Sequence, residues 1–376
     1  MEMLCFLLFS LKMGINSFYN ELMDKLQTDK LQKFQQSLLN WYGGNARILP
    51  WREDPAPYRV WISEIMLQQT RVDAVKPYFE RFLQEVPTIR DLAALPEDRL
   101  MKLWEGLGYY SRARNLKKAT CIVMEQYHGR LPSDRKSLQT LPGIGPYTSG
   151  AIASIAFGAG EPAVDGNVLR VLARLSGNRG DLKDKAVRAD LNALAEKLLS
   201  RQTPGDFNQA LMELGALLCV PNGRPKCGEC PVQPFCEACR QDAVDQIPVK
   251  TRKAKRKTEN RTVFIIRFQH RIALRKRKEH GLLSGLWEFP NRYGHLSPED
   301  IGKVLMEWGI CPETITPLPD AKHVFSHLEW HMKGYAVRVK EKRETCSFVW
   351  ARQEEIHRSY SIPSAFHAYL KALEKV

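Results

Sequence analysis

The chain has 376 residues, which is enough for two or three domains, each with its own core. Its 56 Lys and Arg against 42 Asp and Glu give a formal net charge of +14, which favours an anionic partner such as nucleic acid, or else simply provides a solubilising surface. The nine cysteines do not suggest a disulfide scaffold in a chain of this length, and four of them crowd into one segment, which indicates a reducing compartment and a metal or cluster site.

The chain begins with a short apolar run, "MLCFLLFSL", at residues 3–11. This run is far shorter than the roughly 20 residues that span a bilayer, and it lacks a basic leader and a cleavage site. We therefore interpret residues 1–27 as an N-terminal extension, with Met13 as an equally good start. We expect no membrane partner and a cytoplasmic location, associated with the nucleoid in a bacterium.

Residues 28–246 carry apolar side chains three and four positions apart, which predicts an all-helical domain. Within it, "VWISEIMLQQT" (60–70) places Glu64 among Val60, Trp61 and Leu67 on one helix face. Burial in this stripe would raise the pKa of the Glu64 carboxyl and keep it protonated near neutral pH, as a general acid requires. The alternative is an ion pair between Glu64 and an arginine at a domain boundary.

The segment "GLGYYSRARNL" (106–116) places two tyrosines after a glycine turn, followed by Arg112 and Arg114. Tyrosines in such a turn can wedge between stacked bases while the arginines hold phosphates. The alternative is that Tyr109, Tyr110 or both pack in the core.

The segment "LPGIGPYTSGAI" (141–152) predicts a helix-hairpin-helix over residues 133–155. One helix is expected from about Ser133 to Leu141 and another from about Tyr147. Gly143 and Gly145 let the connecting backbone turn sharply, and the second helix then presents free N–H groups to a phosphate. A plain helical turn is the alternative.

The segment "DGNVLRVLARL" predicts an amphipathic helix with Asp165 as its N-cap. The cap needs only one acceptor oxygen. The outer oxygen of Asp165 could therefore also stabilise a developing cation.

A four-cysteine loop occupies residues 219–236, with the spacing C-x7-C-x2-C-x5-C. Four thiolates this close can hold either a tetrahedral zinc ion or an iron–sulfur cube, and the spacing alone does not choose between them. Cys239 lies nearby, and we interpret it as a bystander. The predicted ligands are Cys219, Cys227, Cys230 and Cys236.

A basic stretch with almost no apolar residues, 247–262, is the predicted linker. After it, "RTVFIIRF", "RIALRKRK" and "HMKGYAVRVK" predict strands, and residues 298–308 and 363–374 predict short helices. The region 263–376 is therefore predicted to be an α+β domain.

These motifs, in this order and approximate spacing, resemble the adenine DNA glycosylases, the MutY family of the helix-hairpin-helix glycosylase superfamily. The resemblance covers residues 28–365. It implies excision of adenine mispaired with 8-oxoguanine or guanine in double-stranded DNA by a monomeric enzyme that flips the base. It also implies a [4Fe-4S] cluster on the four cysteines, although many relatives have one residue fewer between the first two.

By the same resemblance, Glu64 would protonate the departing adenine and Asp165 would stabilise the sugar cation. Tyr147 and Asn167 would support that centre, and Gln209 would contact the extruded base. Because relatives that also cleave the strand carry a lysine where this chain has Tyr147, we expect a monofunctional glycosylase. The residues expected to enter or border the base stack are Leu67, Gln69, Thr70 and Tyr109.

The segment "GLLSGLWEFPN" (281–291) resembles the MutT, or Nudix, fold. The hydrolases of that family hold magnesium with several glutamates on the following helix, whereas this chain keeps Glu307 and has Gly302 and Lys303 where the family has Arg and Glu. A hard cation needs more oxygen ligands than that, so the domain is expected to read 8-oxoguanine and not to hydrolyse nucleotides. The resemblance assigns this reading to Phe325, Ser326 and His327.

A zinc site formed by His323, His327 and His331 is the competing interpretation of that loop. Their spacing of four would suit a helix, but the segment alternates like a strand or a tight turn. Other functional readings of the chain are a glycosylase with another specificity, a lesion-binding protein without catalysis, and a nucleotide pyrophosphatase. Glu64, Asp165 and Tyr147, together with the missing carboxylates, disfavour them.

Overall fold

The computed structural model describes residues 28–249, 255–278, 280–341 and 348–373. The predicted N-terminal extension and the middle of the predicted linker lie outside these ranges. The chain divides into two compact units: Met1–Glu80 with Lys118–Arg252, and Arg81–Lys117 with Lys253–Val376. None of the described helices is long and apolar enough to cross a membrane.

The first 246 residues are helical throughout their described part, as predicted. The helices are α1 (Thr28–Asn45), α2 (Pro50–Glu53), α3 (Pro57–Leu67), α4 (Val72–Glu85), α5 (Ile89–Ala94), α6 (Glu97–Leu103), α7 (Ser111–Gln126), α8 (Arg135–Gln139), α9 (Pro146–Phe157), α10 (Gly166–Ser176), α11 (Lys185–Leu198), α12 (Pro204–Leu217) and α13 (Glu237–Arg240).

Local sequence explains where several of these helices begin. Proline occupies the first turn of α2, α3, α9 and α12, where its missing N–H costs nothing. The Asp134, Asp165 and Asp184 side chains cap α8, α10 and α11 by accepting hydrogen bonds from backbone N–H groups. The apolar face of α10 packs with α1, α11 and α12 in one core.

The helix-hairpin-helix is present with slightly different bounds. Its helices are α8 and α9, joined by residues 140–145. Gly143 adopts a left-handed φ of 83°, which an L side chain rarely tolerates. Gly145 is the N-cap of α9 with an ordinary φ of −89°, and a Cβ atom there would meet nothing within 4 Å, so the backbone does not require glycine at this position.

The second unit contains a seven-stranded mixed sheet in which β1 pairs in parallel with β6, and the other strand pairs of the described residues are antiparallel. The order is β3-β2-β1-β6-β5, with β4 beside β1 and β7 beside β2. The strands are β1 (Lys257–Phe268), β2 (Arg271–Lys276), β3 (Trp287–Glu288), β4 (Asn291–Tyr293), β5 (Pro312–Val324), β6 (Leu328–Val339) and β7 (Val349–Arg352).

Both faces of this sheet are covered. Val263 and Ile265 of β1 enter one core with α15 (Gln353–Ser359) and α16 (His367–Leu373), while Phe264 and Ile266 enter another with α14 (Pro298–Glu307). Alternation along a strand sends successive side chains to opposite faces, so the continuous apolar run "TVFIIRF" indicates a strand buried on both sides.

The residues Arg81–Lys117 belong to the same unit as this sheet, although the sequence assigns them to the helical domain 28–246. Ser361 Oγ donates to the Met101 carbonyl at 3.1 Å, and the Ile362 N–H donates to Glu105 Oε1 at 2.8 Å. Arg114 donates to the carbonyl and hydroxyl oxygens of Ser284 at 2.7 and 2.8 Å. These contacts join positions at least 170 residues apart, which no local pattern reveals.

The structure confirms the predicted all-helical part followed by an α+β part. The predicted helix 298–308 corresponds to α14, and 363–374 contains a 3-10 turn, Ser364–Phe366, before α16. The sequence does not predict β3, β4, β5, β7 or α15. The 312–324 segment contains three prolines and has a mostly exposed burial pattern, so it lacks the signals of a strand.

Candidate active site

A cavity of about 820 Å3 lies in the first unit, between α3, α9, α10 and α12. This cavity is lined by eight of the residues that the sequence analysis selects, although they are spread over 146 positions of the chain. Glu64 and Asp165 are among them, so the two acids share one space. The other six are Leu67, Gln69, Thr70, Tyr147, Asn167 and Gln209.

Glu64 is buried on α3, in the apolar stripe that the helix spacing predicts. Its exposed fraction is 5%, and Val60 and Trp61 are also buried. Desolvation by burial raises the pKa of Glu64 to about 7, and hydrogen bonding to the Tyr147 hydroxyl only partly offsets that rise. The Oε2 atom is buried and has no hydrogen-bond partner among the described residues. A substantial fraction of Glu64 is therefore protonated near neutral pH, and its Oε2 faces no competing partner among the described residues.

The alternative for Glu64, an ion pair with an arginine, is not among the ion pairs of the described part of the chain. Arg52 exerts only a minor influence on Glu64 and instead binds Glu213, with Nη2 3.2 Å from Oε2.

Asp165 combines two contacts at the start of α10. Its Oδ1 accepts from the Val168 N–H at 2.7 Å, which is the predicted cap, and its Oδ2 accepts from Asn167 Nδ2 at 2.8 Å. Arg170 donates to Asn167 Oδ1 at 3.1 Å and so fixes which end of that amide faces Asp165. Arg170 also donates to the carbonyls of Gly215 and Cys219 at 2.8 and 2.9 Å. The orientation of the Asp165 carboxylate therefore depends, through Asn167 and Arg170, on α12 and on the cysteine loop.

The backbones of α10 and α12 approach closely beside Asn167. A Cβ atom built on Gly215 would lie 2.9 Å from Asn167 Cβ, closer than real carbon contacts allow. Glycine at 215 is therefore required for this approach.

Sequence reasoning did not find Arg47, Arg52 and Glu213, three charged cavity residues that bind one another. Glu213 is 1% exposed and accepts from Arg47 Nε at 2.7 Å and from Arg47 Nη2 at 2.8 Å. Arg52 also binds Glu213 and donates from Nε to Gln209 Oε1 at 3.0 Å. Because the Gln209 oxygen is engaged, its amide N–H groups remain to face a ligand. The partners are 157 to 166 positions apart. The one sequence signal that could have revealed this group is Glu213 within the apolar pattern of α12.

The two tyrosines of the segment 106–116, which belongs to the second unit, have different environments. Tyr110 is buried in the core, whereas Tyr109 is 44% exposed with a left-handed φ of 47°. Gln69, in the first unit, has a similar φ of 59°. Such values are uncommon for residues other than glycine and cluster at functional sites.

Arg112 does not have the environment expected of a phosphate ligand. It is 7% exposed and donates from Nη2 to the carbonyls of Leu107 and Gly108 at 3.0 and 3.1 Å. Burial lowers the pKa of its guanidinium to about 10. Arg114 likewise holds Ser284. We therefore assign Arg112 to supporting the turn that carries Tyr109, since a buried guanidinium bound to carbonyls is not free for phosphate.

The four predicted cysteine ligands line one cavity of about 30 Å3, together with Cys239. Arg174 donates to Cys219 Sγ at 3.1 Å. Burial raises the pKa of Cys230 to about 12 and of Cys236 to about 11. No group of His, Cys, Asp or Glu in the described ranges is arranged to hold a single metal ion. An all-sulfur donor set converging on one space is chemically suited to an iron–sulfur group, which displaces thiol protons on binding.

The predicted reading loop of the second unit is a tight turn between β5 and β6, where the Phe325 N–H donates to the Leu328 carbonyl at 2.8 Å. Ser326 and His327 are exposed, and Phe325 packs edge-on against Trp330 with ring centroids 4.9 Å apart. His323 and His331 lie on two different strands, so the helix that a zinc site would need does not form.

Two family models match the chain. Residues 62–197 match the "HhH-GPD superfamily base excision DNA repair protein" model, and residues 262–372 match the "NUDIX domain" model. The first match contains Glu64, Tyr147 and Asp165, and the second contains the mixed sheet.

Curated relatives agree with the first model. The human adenine DNA glycosylase is 35% identical, over 89% of this chain and 74% of its own length. The adenine DNA glycosylase of Buchnera aphidicola from Acyrthosiphon pisum is 36% identical, over 81% of this chain and 87% of its own length. Among solved structures, a thermostable thymine-DNA glycosylase has a TM-score of 0.52 and 31% identity, covering 57% of this chain and 99% of its own.

The geometry of the cavity and these relatives agree. A buried carboxyl with a raised pKa and a helix-capping aspartate line one cavity within a helix-hairpin-helix unit, and relatives aligned over most of the chain have one common name. The chain therefore belongs to the adenine DNA glycosylase family, and it is a DNA glycosylase, an enzyme that hydrolyses N-glycosyl bonds.

Proposed function

We propose that the enzyme removes adenine mispaired with 8-oxoguanine or guanine in duplex DNA, acting as a monomer on a nucleotide flipped into the 820 Å3 cavity. The observation that carries this proposal is the buried Glu64 carboxyl, whose pKa is raised to about 7 and whose Oε2 has no hydrogen-bond partner among the described residues, in the same cavity as Asp165. A glycosidic bond inside a stacked duplex is out of reach, so the base must leave the stack first.

The chemistry follows from the two acids. Glu64 donates its proton to a ring nitrogen of adenine, the C1′–N9 bond breaks, and its electron pair leaves with the base. The Asp165 carboxylate stabilises the resulting cationic sugar. A water molecule then adds to C1′ and gives up a proton to the ionised Glu64, which restores the starting state.

The groups around the acids orient the reactants. Asn167, fixed by Arg170, holds Asp165 Oδ2 towards the cavity. Gln209, fixed by Arg52, presents its amide N–H groups to acceptor nitrogens of the base. Glu213 keeps Arg52 and Arg47 in place. We propose that Arg47, Arg52 and Glu213, which the sequence analysis did not find, position the base and do not take part in proton transfer.

The remaining predicted residues hold the DNA. The exposed Tyr109 and the cavity residue Gln69, both with left-handed backbones, are suited to enter the base stack. Leu67 and Thr70 border that position, and the hairpin glycines Gly143 and Gly145 leave the α9 N-terminus clear for a phosphate. The exposed Ser326 and His327, next to Phe325, supply hydrogen-bonding groups for 8-oxoguanine.

Cys219, Cys227, Cys230 and Cys236 would hold a [4Fe-4S] cluster, which supplies a structural cross-link in the loop that follows α12. The thiols must be reduced to bind it, which is consistent with a cytoplasmic location. Visible absorbance with iron and acid-labile sulfide analysis of the purified protein tests this, and a zinc ion with a colourless protein would contradict it.

The decisive experiment incubates the protein with duplexes that carry adenine opposite 8-oxoguanine, guanine or thymine, followed by alkali to reveal abasic sites. We expect excision from the first two. Because Tyr147 offers no amine for a Schiff base, strand cleavage without alkali is not expected, and its appearance would contradict a monofunctional enzyme.

The matched variants are Glu64→Gln and Glu196→Gln, the latter being an exposed glutamate. Glu64→Gln cannot supply the proton and should lose excision by at least ~100-fold while it retains binding to the mismatch. Glu196→Gln should retain both activities. If Glu64→Gln retains excision, the assigned acid is wrong; if it loses binding, Glu64 is structural.

A further inference from the structure

The cysteine loop contains one more thiol than the four that the resemblance assigns to a cluster. Cys239 lines the same cavity of about 30 Å3 as Cys219, Cys227, Cys230 and Cys236. All five side chains are partly buried and pack against the core that α10 shares with α1, α11 and α12. An iron–sulfur cube is held by four thiolates, so the proposed cluster leaves one thiol of this cavity without a task.

The fifth thiol completes a second short spacing. Cys227 and Cys230 form one C-x2-C pair and Cys236 and Cys239 form another, so residues 227–239 read C-x2-C-x5-C-x2-C. Positions three apart on a helical turn lie on one face, and this spacing is typical of metal and cluster ligands. Cys227 opens a 3-10 turn, and Cys239 lies on α13, which begins directly after Cys236. Cys239 therefore occupies the position of a ligand in its own pair.

Cys239 contacts Cys227 within the cavity. A hydrogen bond joins the two side chains, and of the neighbouring groups that act on Cys227, Cys239 acts most strongly. The Gln233 amide donates to Cys239 Sγ at 3.6 Å, which helps to keep that sulfur beside the cavity. The thiol without a task is thus adjacent to one particular predicted ligand.

The other three predicted ligands have different partners. Cys219 Sγ accepts from Arg174 at 3.1 Å, and the Cys236 thiol donates to the Arg174 carbonyl at 3.5 Å. Cys236 meets Cys239 through the backbone N–H of residue 239, a contact that ligand sulfurs commonly accept. The thiols that act on Cys230 are Cys219, Cys227 and Cys236. The side-chain contact of Cys239 therefore points to the position of Cys227.

A zinc ion on the two C-x2-C pairs is the competing interpretation of the fifth thiol. Zinc needs its ligands gathered around a single ion, and no three residues of the ligand types in the described ranges are arranged in that way. A cluster accepts sulfur atoms that are farther apart, because each thiolate binds a different iron. The arrangement therefore favours a cluster for which two thiols compete at one iron.

We propose that Cys239 is a reserve ligand, which binds the iron otherwise held by Cys227 when Cys227 is removed or modified. In this step the Cys239 S–H bond breaks, the proton goes to solvent, and a sulfur–iron bond forms without any transfer of electrons. The inference rests on the proposed [4Fe-4S] cluster. Its consequence is that the loss of Cys227 leaves the cluster in place, whereas the loss of Cys230 does not.

The test measures iron, acid-labile sulfide and visible absorbance of the full chain after anaerobic reconstitution with iron and sulfide. The parent protein and Cys239→Ala should each hold about four irons per chain. Cys227→Ala should keep at least about half of that content, because a fourth thiolate is still present. The double variant Cys227→Ala/Cys239→Ala should lose it at least ~tenfold, because only three thiolates remain.

Two control variants isolate the effect of position 239. Cys230→Ala removes a ligand from the same C-x2-C pair as Cys227 and should lose the cluster, because Cys239 does not replace it. Cys227→Ala/Cys311→Ala removes an exposed thiol outside the loop and should hold as much iron as Cys227→Ala alone. Circular dichroism confirms that each variant is folded.

Iodoacetamide labelling with mass spectrometry identifies the ligand directly. In the loaded parent protein Cys227 should be protected and Cys239 should be alkylated. In loaded Cys227→Ala the alkylation of Cys239 should be at least ~fivefold slower, because a sulfur bound to iron is not a free nucleophile. Cys227→Val also lacks a donor atom and provides the same comparison if Cys227→Ala does not fold.

Three outcomes would overturn the inference while leaving the proposed cluster intact: a folded Cys227→Ala without iron, a Cys239→Ala without iron, and equal iron in Cys227→Ala and the double variant. The first would show that Cys239 cannot substitute, the second that it is an obligatory ligand, and the third that another group substitutes. A parent protein without iron would contradict the cluster and the inference together. Because neither DNA nor excision is measured, the proposed glycosylase function is unaffected by any of these results.

Discussion

At the scale of single residues, the proton on Glu64 is the most consequential feature of the site. Burial raises the pKa of this carboxyl to about 7, so its protonated fraction changes within the physiological range. Only the protonated form can donate to adenine. The single-turnover rate of excision should therefore be nearly constant just below pH 6 and fall about tenfold per pH unit above roughly pH 8.

A rapid-quench pH series on the 8-oxoguanine mismatch measures this profile. Glu196→Gln provides the control, because it should shift neither the rate nor the midpoint. A rate that rises through pH 8 would show that Glu64 acts in its ionised form.

The same shifted pKa has a consequence for stability. Between the ordinary pKa of 4.5 and about 7, the folded protein keeps a proton that the unfolded chain releases, so this group makes folding less favourable as pH rises. Glu64→Gln removes the effect. Its free energy of unfolding in urea should exceed that of the parent by up to ~3 kcal/mol at pH 8 and by less than ~1 kcal/mol at pH 5.

An equal difference at both pH values would contradict this account. Glu196→Gln, at an exposed position, should show no pH-dependent difference from the parent protein.

Helix periodicity was sufficient to find Glu64, because its apolar neighbours lie three and four positions away. Local sequence did not predict the burial of Arg112, whose guanidinium is enclosed by carbonyls of its own turn. Arg52 and Glu213 lie 161 positions apart, and their pairing depends on how helices pack. Local patterns predict a residue's surroundings along an element, and not across the fold.

At the scale of elements, α10 begins at a residue with two roles that substitution can separate. Asparagine caps a helix as well as aspartate does, whereas alanine does not. Asp165→Asn should keep the unfolding free energy within about 0.5 kcal/mol of the parent, and Asp165→Ala should lose about 1 kcal/mol. Both should lose excision by at least ~100-fold, because neither carries a charge for the sugar cation.

Chemical denaturation and single-turnover excision measure the two roles. Asp184, which caps α11, provides the matched control: Asp184→Ala should lose similar stability and retain excision. If Asp165→Asn excises normally, the charge has no role in catalysis.

Element prediction succeeded where the signal lies within ten or so residues. The strand β1 and the helices α3 and α10 follow from their apolar patterns, and the hairpin follows from Gly143. The strand β5 could not be predicted in this way, because it contains three prolines and is mostly exposed. Its register is set by pairing with β6. The cysteine spacing indicated a metal or cluster site, but the resemblance was needed to choose a cluster.

At the scale of the whole molecule, the net charge of +14 predicts how DNA binding responds to salt. Each phosphate neutralised by a cation releases counterions, so affinity falls steeply with ionic strength. We expect the dissociation constant for an undamaged duplex to rise at least ~100-fold between 50 and 200 mM salt. Fluorescence anisotropy measures it with catalysis blocked by Glu64→Gln.

The mismatch should retain more of its affinity across that range, because base contacts do not release counterions. Salt-independent binding to the undamaged duplex would mean that the basic surface does not face DNA.

The close approach at Gly215 should make a position that does not itself line the cavity important for turnover. A single methyl group there would collide with Asn167, and the amide that steadies Asp165 would be displaced. Gly215→Ala should therefore lower the excision rate more than it lowers mismatch affinity, whereas Gly228→Ala, which meets nothing within 4 Å, should do neither. An inherited Gly215→Ala substitution would therefore act like a substitution in the active site, although every side chain that lines the cavity would keep its identity.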